Sequence, residues 1–314
     1  MRIRPLAETT RRPEVVAGIG GFAGAFRVDQ PTTVLAGTDG VGSKILIAQA
    51  LHRDETIGID LVAMNVNDVL AAGGEPLFFL DYLAVGHLDP QRVAILVSGV
   101  AEGCRQAGCA LLGGETAEMP DLYGEQGYDL AGFVVARQSY AATPAQPGDR
   151  IVGVASSGFH ANGYALLRAV VRRAGLDLSA RYPATGERTL GETLLTPTQI
   201  YVRPVMALWP AATVRAMAHI TGGGLVENVG RTLPEGLGAQ LEAARWRRPE
   251  IFDWFREIGE VACDEMYRTF NMGIGFTLVV PPAAVADTIR HFAQHALAAY
   301  EIGEVVAEPG VSIT

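Results

Sequence analysis

The sequence predicts an α/β or α+β protein in two units, and three observations carry that expectation. Short β-branched runs alternate with amphipathic helical stretches along the chain. The stretch RQSYAATPAQPGDR (137–150) interrupts the alternation with two prolines, small polar residues and a Pro-Gly turn. At 314 residues, 49% apolar and 19% charged, the chain has the length of about two domains and the composition of a folded one. A first unit over 1–138 and a second over 149–314 follow.

In chain order, TVLAG (33–37) and KILIAQA (44–50) read as strands flanking a TDGVG turn, the second also admitting a helix. Residues 59–72 repeat apolar side chains at helical spacing until Gly73, Gly74 and Pro76 stop them. LFFLDYLAV (77–85) is a strand. Asp89 and Pro90 suit the cap and first position of a helix running to Gly108. CALLGG (109–114) and YDLAGFVVA (128–136) are strands around a turn-rich loop. The second unit opens with strand IVGVAS (151–156), a Gly/Asn turn and helix YALLRAVVRRAG. Strand VRAMAHI (214–220), a glycine turn into helix LVENV, helix PEIFDWFREIG (249–259) and strand IGFTLVV (274–280) come next. Helix PAAVADTIRHFAQHALAAY and a last strand EIGEVVA complete it.

A net charge of −9 without any Lys/Arg-rich run argues against nucleic acid or an anionic membrane as partner. Three cysteines in no metal-type pairing read as reduced thiols, with Cys104 and Cys109 as small packing residues. No run approaches the roughly 18 apolar residues of a membrane span, and the basic start lacks a signal core. A cytoplasmic protein is expected.

Three segments carry the chemistry: AGTDGVGSK (36–44), IGIDLVAMNVND (57–68) and LLGGETAEM (111–119). Each sets an acid beside glycines or at a helix edge. Hard oxygens with bare amides suit a magnesium–triphosphate site. On helix 59–72 the apolar side chains fill an arc of about 120°, and Asp60, Asn67 and Asp68 lie opposite. No Lys or Arg shares that polar face, which favours a bound cation over a solvated surface. Asp39 alone would be an Asp-Gly turn, and Glu115 alone a loop carboxylate beyond a strand end. Ser43-Lys44 reverses the order of a Walker motif and no clear helix follows, so that motif is rejected. GIGGFA (18–23) fits a dinucleotide pattern without its strand and helix, and reads as a glycine loop. TGGG (221–224) opens a helix with more glycine than a cap needs, suggesting a phosphate cradle. SSGFHANG (156–163) exposes Ser157, His160 and Asn162 at a strand–helix turn. His291 and His295 lack a third ligand and read as surface histidines.

With these motifs stand TRRPEVVAGIGGF (10–22), GIDLVAMNVNDVLAAGGEPLFFLDY, VSGVAEGCRQAGC, LLTPTQIYV, HITGGGLVEN and EMYRTFNMGIG. Together they resemble the phosphoribosylformylglycinamidine cyclo-ligase (aminoimidazole ribonucleotide synthetase) family of purine biosynthesis, over nearly the whole chain. The resemblance implies an ATPase-superfamily fold: an N-terminal mixed sheet that pairs into a dimeric β-barrel, followed by a C-terminal α/β sandwich. It implies a homodimer, ATP and Mg2+, and formylglycinamidine ribonucleotide as substrate, with no nucleic acid or membrane partner. Asp39, Asp68 and Glu115 would hold metal and triphosphate, and Asp60 and Asn67 would support them. Gly40, Gly42, Ser43, Gly113, Gly114 and Thr116 would line the nucleotide, and Lys44 would neutralise phosphate charge. Ser157, Asn162, Thr221, Gly222, Gly223, Gly224, Arg268 and Asn271 would line the substrate side, with His160 or His219 handling protons. The implied reaction phosphorylates the amide oxygen to an iminophosphate, which the neighbouring amidine nitrogen displaces. Selenophosphate synthetase, thiamine-phosphate kinase and a hydrogenase maturation protein share the framework, but SSGFHANG and EMYRTFN favour the cyclo-ligase. No cysteine near the N-terminal glycine loop supports selenium chemistry. A non-catalytic nucleotide-binding scaffold is the reading from another class. Two departures stand out: Ser43 replaces the family's usual Thr, and members carry a longer leader before TRRPEV.

Overall fold

The computed structural model describes residues 3–211 and 213–314. Its first half runs α1 (Arg4–Glu8), β1 (Val15–Ala17), β2 (Gly24–Arg27), β3 (Thr33–Gly40), α2 (Ile45–Leu51), α3 (Ile57–Ala71), β4 (Gly74–Val85), α4 (Pro90–Ala107), β5 (Ala110–Glu118), α5 (Pro120–Tyr123) and β6 (Tyr128–Gln138). The six strands form one mixed sheet ordered β1-β2-β3-β6-β4-β5, in which only the β4–β5 pair is parallel. GIGGFA connects antiparallel β1 and β2: contrary to expectation a strand precedes it, but a strand rather than a helix follows, so it is a glycine loop of a hairpin.

The second half runs β7 (Arg150–Ala155), α6 (Tyr164–Arg173), α7 (Leu190–Leu194), α8 (Val202–Leu208), β8 (Ala216–His219), α9 (Gly224–Gly230), β9 (Gly238–Leu241), α10 (Glu250–Gly259), α11 (Cys263–Thr269), β10 (Ile274–Val280), α12 (Val285–Gln294), β11 (Ala299–Val306) and β12 (Gly310–Ile313). Its sheet is ordered β12-β9-β11-β7-β10-β8.

Local signals explain most boundaries. The Asp89 carboxylate accepts the Gln91 N–H at 2.9 Å, Pro90 opens α4, and Gly108 ends it at φ 79°. Segment 44–50 is a helix, correcting the strand expectation. A 3-10 turn over Gly42–Lys44 feeds α2, and a short apolar run cannot itself distinguish the two states. The helix missing from the Walker comparison is therefore present, leaving the reversed Ser-Lys order as the ground for rejecting that motif. The run after Pro282 breaks at Gln294, Ala296 turns at φ 57°, and its last residues begin β11. Strands β1, β2, β9 and β12 went unread: each has three or four residues and no longer apolar run around it to establish a twofold period.

Helix α3 is the centre of the molecule. It packs on β3, β4 and β6, against α4, and against β8 and α8 of the second half. At its start, a side chain on Gly58 would overlap the backbone of Gly99 and Val100, so the α3–α4 crossing depends on bare glycine there. One continuous apolar cluster takes in Val66 and Val69 of α3, Phe79 of β4, Tyr201, Met217 of β8 and Phe276 of β10. A second gathers Ile220, Leu225 of α9, Ile274 and Ile302.

Candidate active site at the seam between the sheets

Asp39 lies near the end of β3, where its backbone oxygen accepts from Asn65 Nδ2 of α3 at 3.2 Å. It pairs directly with Gly132 of β6, which pairs with Asp81 of β4, which pairs with Gly114 of β5. Directly opposed residues share one sheet face. A side chain at Gly132 would press on Asn65 and Phe79, so that face is the one covered by α3. Asp39 thus joins Asp68 of α3 and His219 of β8. Burial, reinforced by the nearby Asp68 charge, lifts the Asp39 carboxyl above its ordinary range, against the Gly40 N–H and His219. The Gly40 N–H donates to the Asp39 carboxylate at 2.8 Å. Asp68 reaches the seam with its side chain 24% exposed, and its Oδ1 lies 2.8 Å from His219 Nδ1. Two crowded carboxylates of hard oxygens suit Mg2+, which typically takes one or two protein carboxylates with phosphates and water.

Glu115 does not join them. It is one residue past Gly114 and so points to the opposite face, three strands or about 14 Å from Asp39. Its carboxylate accepts the adjacent Thr116 N–H at 2.8 Å. Among the described residues no three His, Cys, Asp or Glu side chains gather at metal-ligand spacing. The expected triad is therefore not assembled within one chain; strand alternation separates its third member. Gly113 shares the face of Glu115 on exposed edge strand β5, while Gly114 and Thr116 alternate onto the other face, still three strands from Asp39.

The phosphate role expected of Lys44 is also overturned. Its side chain is fully buried and its Nζ is saturated: 2.8 Å from Asp60 Oδ2, 3.0 Å from the His160 carbonyl and 2.7 Å from the Thr196 carbonyl. Asp60 further accepts the Thr198 N–H at 2.7 Å and its hydroxyl at 2.6 Å. Burial pushes the Asp60 carboxyl up and the Lys44 ammonium down, and each charge opposes the other's shift. Asn67, equally buried, donates to the Gln199 carbonyl at 2.9 Å and accepts the Tyr201 N–H at 3.0 Å. The polar face of α3 is thus divided: Lys44 balances Asp60 inside the seam, and Asp68 opens beside Asp39 and His219. Asp60 and Asn67 are staples to residues 196–201, not nucleotide contacts. Thr198 was missed as the partner of Asp60 because 138 residues separate them and no local pattern marks such a contact. Gly42, at φ 71° with open space around it, and half-buried Ser43 remain available at the turn.

On the other side of the seam, Ser157 donates its N–H to His160 Nε2 at 3.2 Å and its hydroxyl to the Pro197 carbonyl at 2.6 Å. His160 is buried at φ 61°, not exposed as expected, and burial drives its imidazole well below the usual range. Asn162 lies beside Gly222, where a side chain would meet its Oδ1 at 3.8 Å. Thr221 faces Asn228. Gly223 and Gly224 have a packing reason: both have positive φ, and a side chain at 224 would overlap the Tyr267 carbonyl. Only Gly222 of the three is free for a ligand, so the surplus-glycine argument weakens. Asn271 is buried and fixes the loop by donating to the Gly158 carbonyl at 2.8 Å and accepting from Ser156 Oγ at 3.0 Å. Arg268 is exposed and paired to Glu265 at 2.7 Å. These contacts make Asn271 a loop anchor and leave Arg268 at the surface, paired within α11. His291, expected at the surface, is half-buried with its Nε2 2.7 Å from the Pro204 carbonyl, while His295 is exposed.

Residues 20–137 match the family model of the AIR synthase related protein N-terminal domain, and residues 146–314 that of its C-terminal domain. The chain is 51% identical to the phosphoribosylformylglycinamidine cyclo-ligase of Thermosynechococcus vestitus, over 98% of this chain and 92% of that one. It is 48% identical to the trifunctional purine biosynthetic protein adenosine-3 of Bos taurus, over 98% of this chain and 32% of that protein. Among solved structures, AaThiL complexed with AMPPCP and TMP superposes with a TM-score of 0.68 at 20% identity, covering 99% of this chain and 92% of that one. The T. maritima PurL complex with AMPPCP gives 0.61 at 16% identity, over 92% of this chain and 43% of that one. At such identity these likenesses establish a shared fold.

Proposed function

The chain belongs to the phosphoribosylformylglycinamidine cyclo-ligase family, and from that premise we propose that it closes the imidazole ring of formylglycinamidine ribonucleotide at the expense of ATP. The relatives' names make it a C–N bond-forming ligase of purine biosynthesis. The observation that carries the reading onto this molecule is the meeting of Asp39 and Asp68 at a seam whose far wall is the 156–163 loop. MgATP would convert the amide oxygen, a poor leaving group, into phosphate. The protein's part is positioning and charge. Asp39 and Asp68 would hold the metal, and the open turn at Gly42 and Ser43 would receive the anion. Ser157, Asn162 and Gly222 would face the substrate. Lys44, Asp60, Asn67 and Asn271 would keep both walls in register. The division into units 1–138 and 149–314 and a cytoplasmic location belong to the same reading. Among the described residues no helix is long and apolar enough to cross a membrane.

The test is ADP release by the purified chain with MgATP. Release should require formylglycinamidine ribonucleotide and yield one ring-closed product per ADP. Release indifferent to that compound, or none in its presence, would leave the scaffold reading instead.

Pairing through the first sheet is part of the proposal. Its face away from α3 carries Phe133, Tyr82 and Leu77 about 40% exposed, and Leu112 lies 65% exposed on unpaired edge strand β5. Such an apolar face and open edge favour a second copy. Glu115 shares that face, so its ligand role is assigned to the paired state. Phe133→Arg with Leu112→Arg should shift the native mass from two chains to one; equal masses for variant and parent would contradict this pairing.

A further inference from the structure

Asn65 lies on the sheet side of α3, three residues before Asp68, and is 2% exposed. Its Nδ2 donates to the Leu61 carbonyl at 2.9 Å and to the Asp39 carbonyl at 3.2 Å. Two acceptors on that nitrogen fix which end of the amide is which, and they leave Oδ1 buried without a partner. A leucine would fill the same space with no unpaired acceptor, so packing alone does not explain an amide here. The sheet makes room for it. A side chain on Gly132, the residue paired with Asp39, would come within 2.7 Å of Asn65 Nδ2 and 2.3 Å of Phe79.

What the Asn65 amide holds is one planar unit, the peptide between Asp39 and Gly40. The carbonyl of that unit accepts from Asn65, and its N–H donates to the Asp39 carboxylate at 2.8 Å. In a trans peptide the two groups point to opposite sides, so turning one turns the other. Fixing the carbonyl therefore fixes the direction of the N–H and, through it, the carboxylate. Glycine at 40 and 42 gives the following turn little restraint of its own. Residues three apart on a helix are neighbours on its surface, so the turn of α3 that carries Asn65 also presents Asp68.

We propose that Asn65 is a positioning residue of the carboxylate pair: it aims the Asp39 carboxylate through the Asp39–Gly40 peptide and sets its separation from Asp68. It acts through the backbone and needs no contact with metal or nucleotide. Asn65 then governs how well the pair accepts a divalent cation and leaves the rest of nucleotide binding alone. It has this part only if Asp39 and Asp68 hold the metal as proposed above, and the test reports on the two separately.

The full chain and its variants are titrated calorimetrically with a non-hydrolysable ATP analogue, with and without Mg2+. In the parent Mg2+ should strengthen binding by about tenfold or more, and Asp68→Asn should abolish most of that gain. Asn65→Leu, close in shape but without donors, should reduce the gain below about threefold while metal-free affinity stays within about threefold of the parent. Its urea midpoint should stay within about 0.5 M, since one hydrogen bond is lost and one unpaired acceptor goes with it. Should Asn65→Leu fail to fold, Asn65→Ser, too short to make the Asp39 contact, replaces it in the same titrations. A full magnesium gain in the Asn65 variant, with Asp68→Asn defective, overturns the positioning role and leaves the metal site standing. Equal losses with and without Mg2+ overturn it as well, since they report a general structural defect. No gain in the parent, or an undiminished one in Asp68→Asn, removes the metal pair itself and the role of Asn65 with it.

Discussion

Asp68→Asn is expected to lower kcat/KM for ATP by about a hundredfold to a thousandfold while the protein remains folded. The asparagine oxygen can still accept from His219 Nδ1, now 2.8 Å from Asp68 Oδ1, so the seam persists. What disappears is an anionic oxygen beside Asp39, whose carboxyl is lifted first by burial and further by the Asp68 charge. Two carboxylates held together before any ligand arrives represent unfavourable charge that a divalent cation relieves. Preorganised electrostatic groups of this kind are worth about 3–4 kcal/mol each in the transition state. Asp39→Asn should behave alike, with the magnesium requirement displaced to higher concentration in both. Steady-state ADP release against magnesium concentration reads the effect. Losses below about tenfold in both variants would remove these carboxylates from the metal site.

Lys44→Met should cost about 3–5 kcal/mol of stability, because it strands the fully buried Asp60 carboxylate. The ammonium also serves the His160 and Thr196 carbonyls, which would lose their donor in the same step. Removing the second charge tests the cause. Lys44→Met combined with Asp60→Asn should recover much of the loss, since an amide avoids burying an uncompensated charge. Urea unfolding of the parent, single and double variants measures it. A single-variant loss under about 1 kcal/mol, or a double variant no better than the single, would show that the pair carries little of the seam. If Lys44 were instead a phosphate ligand, the single variant would keep its stability and lose ATP affinity.

The comparison between sequence and structure turns on range. Helix α4 could be read directly because its signals are local: Asp89 and Pro90 at one end, Gly108 at the other. The acidic residues at 39 and 68 were legible as a pair because turn and helix edge were each recognisable in place. Glu115 was not, since the strand's twofold alternation, together with the β4–β5 register shift, decides its face only once the sheet is assembled. The polar stripe of α3 was misread for the same reason. Asp60 looked unbalanced on its own helix, while its cation stands in the preceding turn and its other donors come from Thr198. The glycines of TGGG show the reverse error: their abundance was read as a cradle, while two of them answer to backbone handedness and the Tyr267 carbonyl.

The apolar cluster that runs without a break from Phe79 through Val66 to Met217 and Phe276 has a consequence for how the polypeptide can be divided. Severing it at the proline-rich joint around 144–147 would not release two self-sufficient pieces. The leading fragment would bare the oily flank of its central helix together with a carboxylate stripped of its Thr198 donors, and the trailing fragment would lose the wall behind Tyr201. The halves, however distinct their sheets, are bound to be made, folded and inherited as a single object.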